Sequence, residues 1–172
     1  MSDIREACFP QDRERVIGLF REYADSLGFD LCFQDFDTEL ATLPGKYAPP
    51  GGRLLLACNG DHAVGCVALR PIDRERCEMK RLYVQPAMRG TGLGRTLAER
   101  ICDEARAAGY RQICLDTLPS MQAAVGLYTD LGFVPVAPYV FNPLPGALFL
   151  GHALLPGAPP PGQRAAPSDR PG

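Results

Sequence analysis

The chain carries 172 residues, 46% of them hydrophobic and 22% charged, with a formal charge of −2. That is enough chain for one domain with a substantial core, and the near balance of charge excludes a protein that grips nucleic acid through a basic excess. The start, MSDIREACF, is polar and no apolar run reaches the roughly 18 residues that span a bilayer, so no signal peptide or membrane helix is expected and the location is read as cytoplasmic.

In chain order, residues 2–8 read as a short strand ended by Pro10. Val16, Ile17, Phe20, Tyr23, Ala24 and Leu27 then follow helical spacing from Asp12, with Gly28 as the stop. A shorter helix is expected over Asp35 to Leu43, closed by Pro44-Gly45, after which Pro49-Pro50-Gly51-Gly52 enforces a loop. RLLLAC (53–58) and AVGCVALR (63–70), joined by Asn59-Gly60-Asp61-His62, predict a β-hairpin. EMKRLYV (78–84) is the next strand. A helix from Gly92 to about Ala108 carries Leu93, Leu97, Ile101, Cys102 and Ala105 on one face, and ICLD (113–116) is a further strand. Strand, helix, strand is a βαβ unit, so 78–84 and 113–116 are expected to lie parallel. A fourth helix is predicted over Met121 to Leu131, followed by strands over Phe133 to Val136 and Ala147 to Leu154. The class is mixed α/β in one domain over 1–155. PGAPPPGQRAAPSDRPG (156–172) has too much proline and glycine and too little apolar surface to pack, and is read as a disordered tail.

The seven cysteines, Cys8, Cys32, Cys58, Cys66, Cys77, Cys102 and Cys114, form no CxxC pair and are odd in number. This argues against a disulfide framework and a zinc site. They read as small hydrophobes; only His62 and His152 are available as imidazole partners for a catalytic thiol, and neither has a signature context.

The most informative stretch is Arg89-Gly90-Thr91-Gly92-Leu93-Gly94, between the strand at 78–84 and the helix behind it. Glycines at alternate positions let successive N–H groups converge on one anion, and the helix adds its unpaired first-turn amides and the positive end of its dipole. A phosphate or pyrophosphate cradle is expected, although a bare turn into a helix has the same composition. The Walker A pattern fails, because its first glycine falls on Arg89 and its lysine on Arg95. The dinucleotide pattern GxGxxG meets GxGxG here, and Asp116 lies at roughly the distance of that motif's acidic residue, which keeps it as a weaker alternative.

What fits is RxxGxG, formed by Arg89, Gly92 and Gly94 after a strand ending in Val84-Gln85-Pro86, together with AVGLYTDLGF (124–133) downstream. On these two motifs the chain resembles the GNAT acetyltransferase superfamily from about Arg53 to Phe133, the first being similar to its pyrophosphate loop and the second to its fourth helix. The resemblance implies a mixed sheet with a central splayed parallel strand pair flanked by about four helices. It implies acetyl-CoA as cosubstrate and no metal. Arg89, Gly90, Thr91, Gly92, Leu93, Gly94, Arg95 and Thr96 then hold the diphosphate, the backbone of Leu82, Tyr83 and Val84 pairs with pantetheine, and Ala124 leaves room for the cofactor arm. Glu78 aligns with a general base of some members, and equally reads as an ion-pair partner of Lys80 or Arg81. Tyr128 aligns with a general acid of many relatives, the reading its motif position favours over that of a core tyrosine. Met121 stands where relatives often place an asparagine, and a thioether cannot replace an amide's paired donor and acceptor. That contact is then left to backbone groups or to Asp116 and Thr117.

In such folds the acceptor lies against the first two helices and the following loop. Asp30, Asp35, Asp37 and Glu39 face only Lys46 in charge there, which reads as an acidic surface suited to a cationic amine or as a solvated helix face. Lys80 and Arg81 offer a hold for a substrate carboxylate, and YAPPGG (47–52) and YVFNPLPG (139–146) are candidate walls or lids. The expected activity is an acetyl-CoA-dependent N-acetyltransferase moving an acetyl group to a primary amine of a small metabolite, by direct attack in a ternary complex. A protein lysine or N-terminal acetyltransferase and a non-catalytic acyl-CoA sensor are the alternatives. Family relatives are often dimers, so a homodimer is an implied partner; nothing points to nucleic acid or membrane.

Overall fold

Helical and strand periodicities resolve, in the computed structural model, into seven strands and four α-helices over the described residues, 2–31 and 35–154. In order they are β1 (Asp3–Glu6), α1 (Arg13–Leu27), α2 (Phe36–Ala41), β2 (Arg53–Asn59), β3 (His62–Pro71), β4 (Arg76–Val84), α3 (Leu93–Ala107), β5 (Gln112–Thr117), α4 (Gln122–Asp130), β6 (Val134–Pro135) and β7 (Leu148–Ala153). The tail expected over 156–172 lies outside the described residues, as does Cys32. The other six cysteines are free; five are buried, and burial pushes the Cys102 thiol up to about 11.

One sheet runs in the order β1-β2-β3-β4-β5-β7-β6, antiparallel throughout except for the parallel β4–β5 pair. Periodicity locates the last two strands but not their order: β7 inserts between β5 and β6. Helices cover both faces. Leu97 and Ile101 of α3 pack on Leu55, Val67, Leu69, Cys77 and Met79, whereas Val16 and Phe20 of α1 pack on Leu54, Leu56 and Cys66. A doubly covered strand buries both faces, which is why RLLLAC is continuously apolar instead of alternating.

The feature that shapes the site is a bulge in β4. Cys66 stands opposite Tyr83 but Ala68 opposite Lys80, so β4 carries one extra residue, and Arg81 takes it up at φ 60. Before the bulge, Cys77 and Met79 face α3 while Glu78 and Lys80 turn to the other side, where Arg70 and Tyr139 meet Glu78 and Lys80 shares a pocket with Asp35 and Glu39. After it, Leu82 and Val84 turn to the α3 side and Tyr83 to the α1 side. An inserted residue also bends and twists its strand. Consistent with that bend, β4 pairs with β5 only over Arg76–Glu78 against Gln112–Cys114, and the two strands then part.

Candidate active site

Past Glu78, the segment from Met79 to Val84 keeps one backbone edge without a strand partner among the described residues. Buried N–H and C=O groups left so are costly unless a ligand completes the ladder. The opening is a cleft lined by Met79, Leu82, Leu115, Ala124 and Tyr128. From β4 the chain passes through a single 3-10 turn, Pro86–Met88, into the glycine loop and α3.

Gly90 and Gly92 sit at φ 80 and 83, a conformation that costs an L side chain roughly 1–2 kcal/mol. Gly92 starts α3 with no side-chain cap, leaving the first-turn amides of a 15-residue helix for another acceptor. The loop's own side chains are engaged elsewhere. Thr91 Oγ1 donates to the Met88 carbonyl at 2.6 Å, Thr96 Oγ1 to Gly92 O at 3.0 Å, and Arg89 Nε to Val84 O at 3.3 Å. Arg95 pairs with Glu99 at 3.1 Å, and Leu93 is buried in the core. None of these bonds reaches the first-turn amides.

Glu78 is fully buried. Arg70 Nε donates to its Oε1 at 2.6 Å, the Tyr139 hydroxyl donates to Oε2 at 2.7 Å, and Lys80 Nζ lies 3.9 Å from Oε1. Of the two partners expected from sequence, only Lys80 is within ion-pair range. Arg81 instead contacts both oxygens of Glu39, at 2.9 and 3.1 Å, with its guanidinium 5.7 Å from the Tyr23 ring centre and 5.3 Å from that of Phe36. Glu39 also accepts from Tyr47 at 2.8 Å. Two expectations are thereby corrected. Arg81 is committed to Glu39 and two rings, so it is a poor hold for a substrate carboxylate; Glu39 is neutralised, so the acidic surface reduces to the exposed Asp30, Asp35 and Asp37.

Arg70 and Tyr139, which sequence reasoning missed, lie 8 and 61 residues from Glu78, so no local pattern announces them. YVFNPLPG did stand out as a wall, and part of it is one. Asn142 Nδ2 donates to Asp116 Oδ2 at 3.0 Å, so the strap from Tyr139 to Asn142 is pinned to β4 and to β5 across the gap between them. YAPPGG contributes Tyr47, which is buried in the core under α1 and also lines a pocket with Glu39 and Arg70. A second pocket, lined by Asp35, Glu39, Arg70 and Phe141, meets the cleft at Lys80 and Asp116, which line both. Burial, opposed by the charge of Glu78, brings the Lys80 ammonium down to about 8.

Tyr128 belongs to the core, 5.7 Å from the Phe133 ring, and also lines the cleft. Its hydroxyl has no hydrogen-bond partner among the described residues, and burial raises its pKa, so the proton stays on. Ala124, one turn earlier, lines the same wall, and Met121 caps α4 with its sulfur 3.6 Å from Thr117 Oγ1. Replacing Met121 with asparagine restores an amide facing the cleft. Calorimetry is expected to show coenzyme A bound about fivefold more tightly, the net gain of one hydrogen bond of about 1 kcal/mol.

Residues 12–133 match the model of the acetyltransferase (GNAT) family. The chain belongs to this family. As an acetyltransferase it is 42% identical over 144 residues to an uncharacterized N-acetyltransferase of Schizosaccharomyces pombe, covering 82% of this chain and 88% of the relative. Its fold is that of a GNAT-family acetyltransferase of Staphylococcus aureus, with TM-score 0.75 and 21% identity, over 90% of this chain and 99% of the other. It is also that of an acetyltransferase of Salmonella typhimurium solved with its cofactor acetyl-CoA, with TM-score 0.68 and 23% identity, over 95% and 99%. The acetyltransferase's residues suit such a cofactor on two counts: uncapped amides behind glycines at positive φ match a diphosphate, and a strand edge that β5 leaves past Glu78 matches the amides of a pantetheine arm. Among the described residues no group of three His, Cys, Asp or Glu side chains is placed to hold a metal ion, and no helix is long and apolar enough to cross a membrane.

Proposed function

We propose that this acetyltransferase moves an acetyl group from acetyl-CoA to the primary amine of a small metabolite by direct attack in a ternary complex. The observation that carries the reading is a pair of pockets that share Lys80 and Asp116: one is the strand-gap cleft beside β4, the strand that runs on into the glycine loop, the other a charged pocket partly closed by the pinned strap. A strap fastened at both ends suits a small acceptor better than a protein segment.

Acetyl-CoA supplies an activated thioester whose thiol is the leaving group. The first-turn amides from Gly92, with the turn from Arg89 to Thr91, hold the diphosphate, and Arg95 and Thr96 flank it. Leu82, Tyr83 and Val84 offer their backbone edge to the pantetheine amides, and Ala124 keeps the opposite wall low. A lysine-like acceptor with a pKa of about 10.4 must lose a proton at a cost of about 4.6 kcal/mol at pH 7. Glu78 draws that proton as general base. Because Arg70 and Tyr139 hold both its oxygens, the proton travels by way of water to the Glu78–Lys80 pair. Tyr128, protonated and unpartnered, hydrogen-bonds the departing sulfur; its raised pKa makes complete transfer to a thiolate of pKa about 8.5 uphill, so it acts as a donor more than as a proton source.

The test is thiol release from acetyl-CoA across amino acids, polyamines, aminoglycosides and peptides. Turnover with one class of small amine is the expected result, and coenzyme A binding with no release across the panel is the signature of a sensor. For Tyr128→Phe, kcat is expected to fall about 100-fold with the KM for acetyl-CoA nearly unchanged. Full turnover in that variant removes the hydroxyl from the mechanism.

A further inference from the structure

Two of the 18 basic residues are lysines. Lys46 is exposed on the turn after α2, whereas the side chain of Lys80 is 9% exposed and lines both the cleft and the second pocket. Its ammonium stands 3.9 Å from Glu78, whose close ion-pair partner is Arg70 at 2.6 Å. Its backbone is fixed opposite Ala68 in the sheet, one residue before the bulge. An amine-bearing side chain on a paired strand thus lines both pockets, the place the proposed acceptor's amine must reach.

We propose that Lys80 is a self-acetylation site: when no acceptor occupies the second pocket, its Nζ takes the acetyl group of the acetyl-CoA in the cleft. This rests on the cofactor reading given above. The Nζ lone pair attacks the thioester carbonyl carbon, a C–N bond forms and the C–S bond breaks. The sulfur leaves with that electron pair and one amine proton ends on it, so the products are Nε-acetyl-lysine and a free thiol, with no change of oxidation state. Burial assists the step. With the ammonium brought down to about 8, roughly a tenth of the side chain is the neutral nucleophile at pH 7, against a few parts in ten thousand for an unperturbed lysine. Acetylation removes a positive charge beside Glu78 and fills the junction, so the modified protein is expected to lose turnover.

The experiment incubates the full chain with acetyl-CoA and no acceptor, then locates added acetyl groups by intact and peptide mass. The expected result is a single acetyl group on Lys80, at least tenfold over Lys46 and the N-terminal amine, suppressed by excess coenzyme A and accompanied by one equivalent of thiol. N-succinimidyl acetate, which acylates by exposure alone, is expected to favour Lys46. Label on Lys46 equal to that on Lys80, or label that excess coenzyme A does not suppress, overturns the proposal. Coenzyme A binding by calorimetry without label on Lys80 overturns it while leaving the proposed function intact; no coenzyme A binding removes both. No variant is needed, so loss of folding cannot obscure the answer.

Discussion

With Gly92 replaced by aspartate, coenzyme A binding is expected to weaken by about 100-fold, equivalent to about 2.7 kcal/mol, while the melting temperature moves by only a few degrees. Aspartate tolerates the left-handed conformation at φ 83 better than most residues, and a carboxylate at a helix N-terminus returns about 0.3–1 kcal/mol of the strain. The fold therefore survives. What changes is the occupant of the proposed cradle: a fixed negative charge satisfies the amides to which the diphosphate is assigned and repels it. Calorimetry reads the affinity and a thermal melt reads the fold. An unchanged Kd places the diphosphate elsewhere on the protein and removes the basis of the proposed function.

Glu78→Gln is expected to lower both stability and rate. The substitution leaves the half-buried Arg70 guanidinium facing a neutral amide, and breaking a buried pair on one side costs about 3 kcal/mol, which for a chain of this length is about 6–12 °C in melting temperature. If Glu78 draws the acceptor's proton, kcat falls about 100-fold as well. Arg70→Gln separates the two effects: it breaks the same pair and costs similar stability, yet keeps the carboxylate, so its loss of rate is expected to be much the smaller. Equal rates for the two variants leave Glu78 with a structural role alone.

The glycine loop and the βαβ unit around it were legible because their determinants are local. Alternate glycines, the helix stop at Gly109 and the apolar stripe of α3 lie within a few residues of one another, and a helix N-terminus carries its unpaired amides wherever it is placed. The parallel pair followed from the same segment, since a strand, a helix and a strand in immediate succession can hardly pair otherwise. Strand boundaries came out close for a like reason: EMKRLYV was expected from 78, and the strand begins two residues earlier, at Arg76, where a run of charged residues had hidden it.

The bulge was not legible. Nothing in EMKRLYV says that Arg81 takes φ 60 instead of continuing the pleat, because the slip is set by how β4 fits β3 and by the pull of Glu39, 42 residues away, on the Arg81 guanidinium. That one residue decides which side of the sheet Leu82 and Val84 face. Likewise, two charged neighbours of Glu78 in sequence looked like its partners, but pleating aims side chains across strands, and the guanidinium that meets it at hydrogen-bond distance comes from β3 and the hydroxyl from the strap. Sequence alone therefore determined the glycine loop, the helix behind it and the uncapped amides on which the proposed anion cradle rests, all of which depend on short-range backbone geometry. Only the tertiary structure decided which ions pair, which edge stays open and where Lys80 stands, because burial and long-range pairing set the partners of a charged side chain once water is excluded.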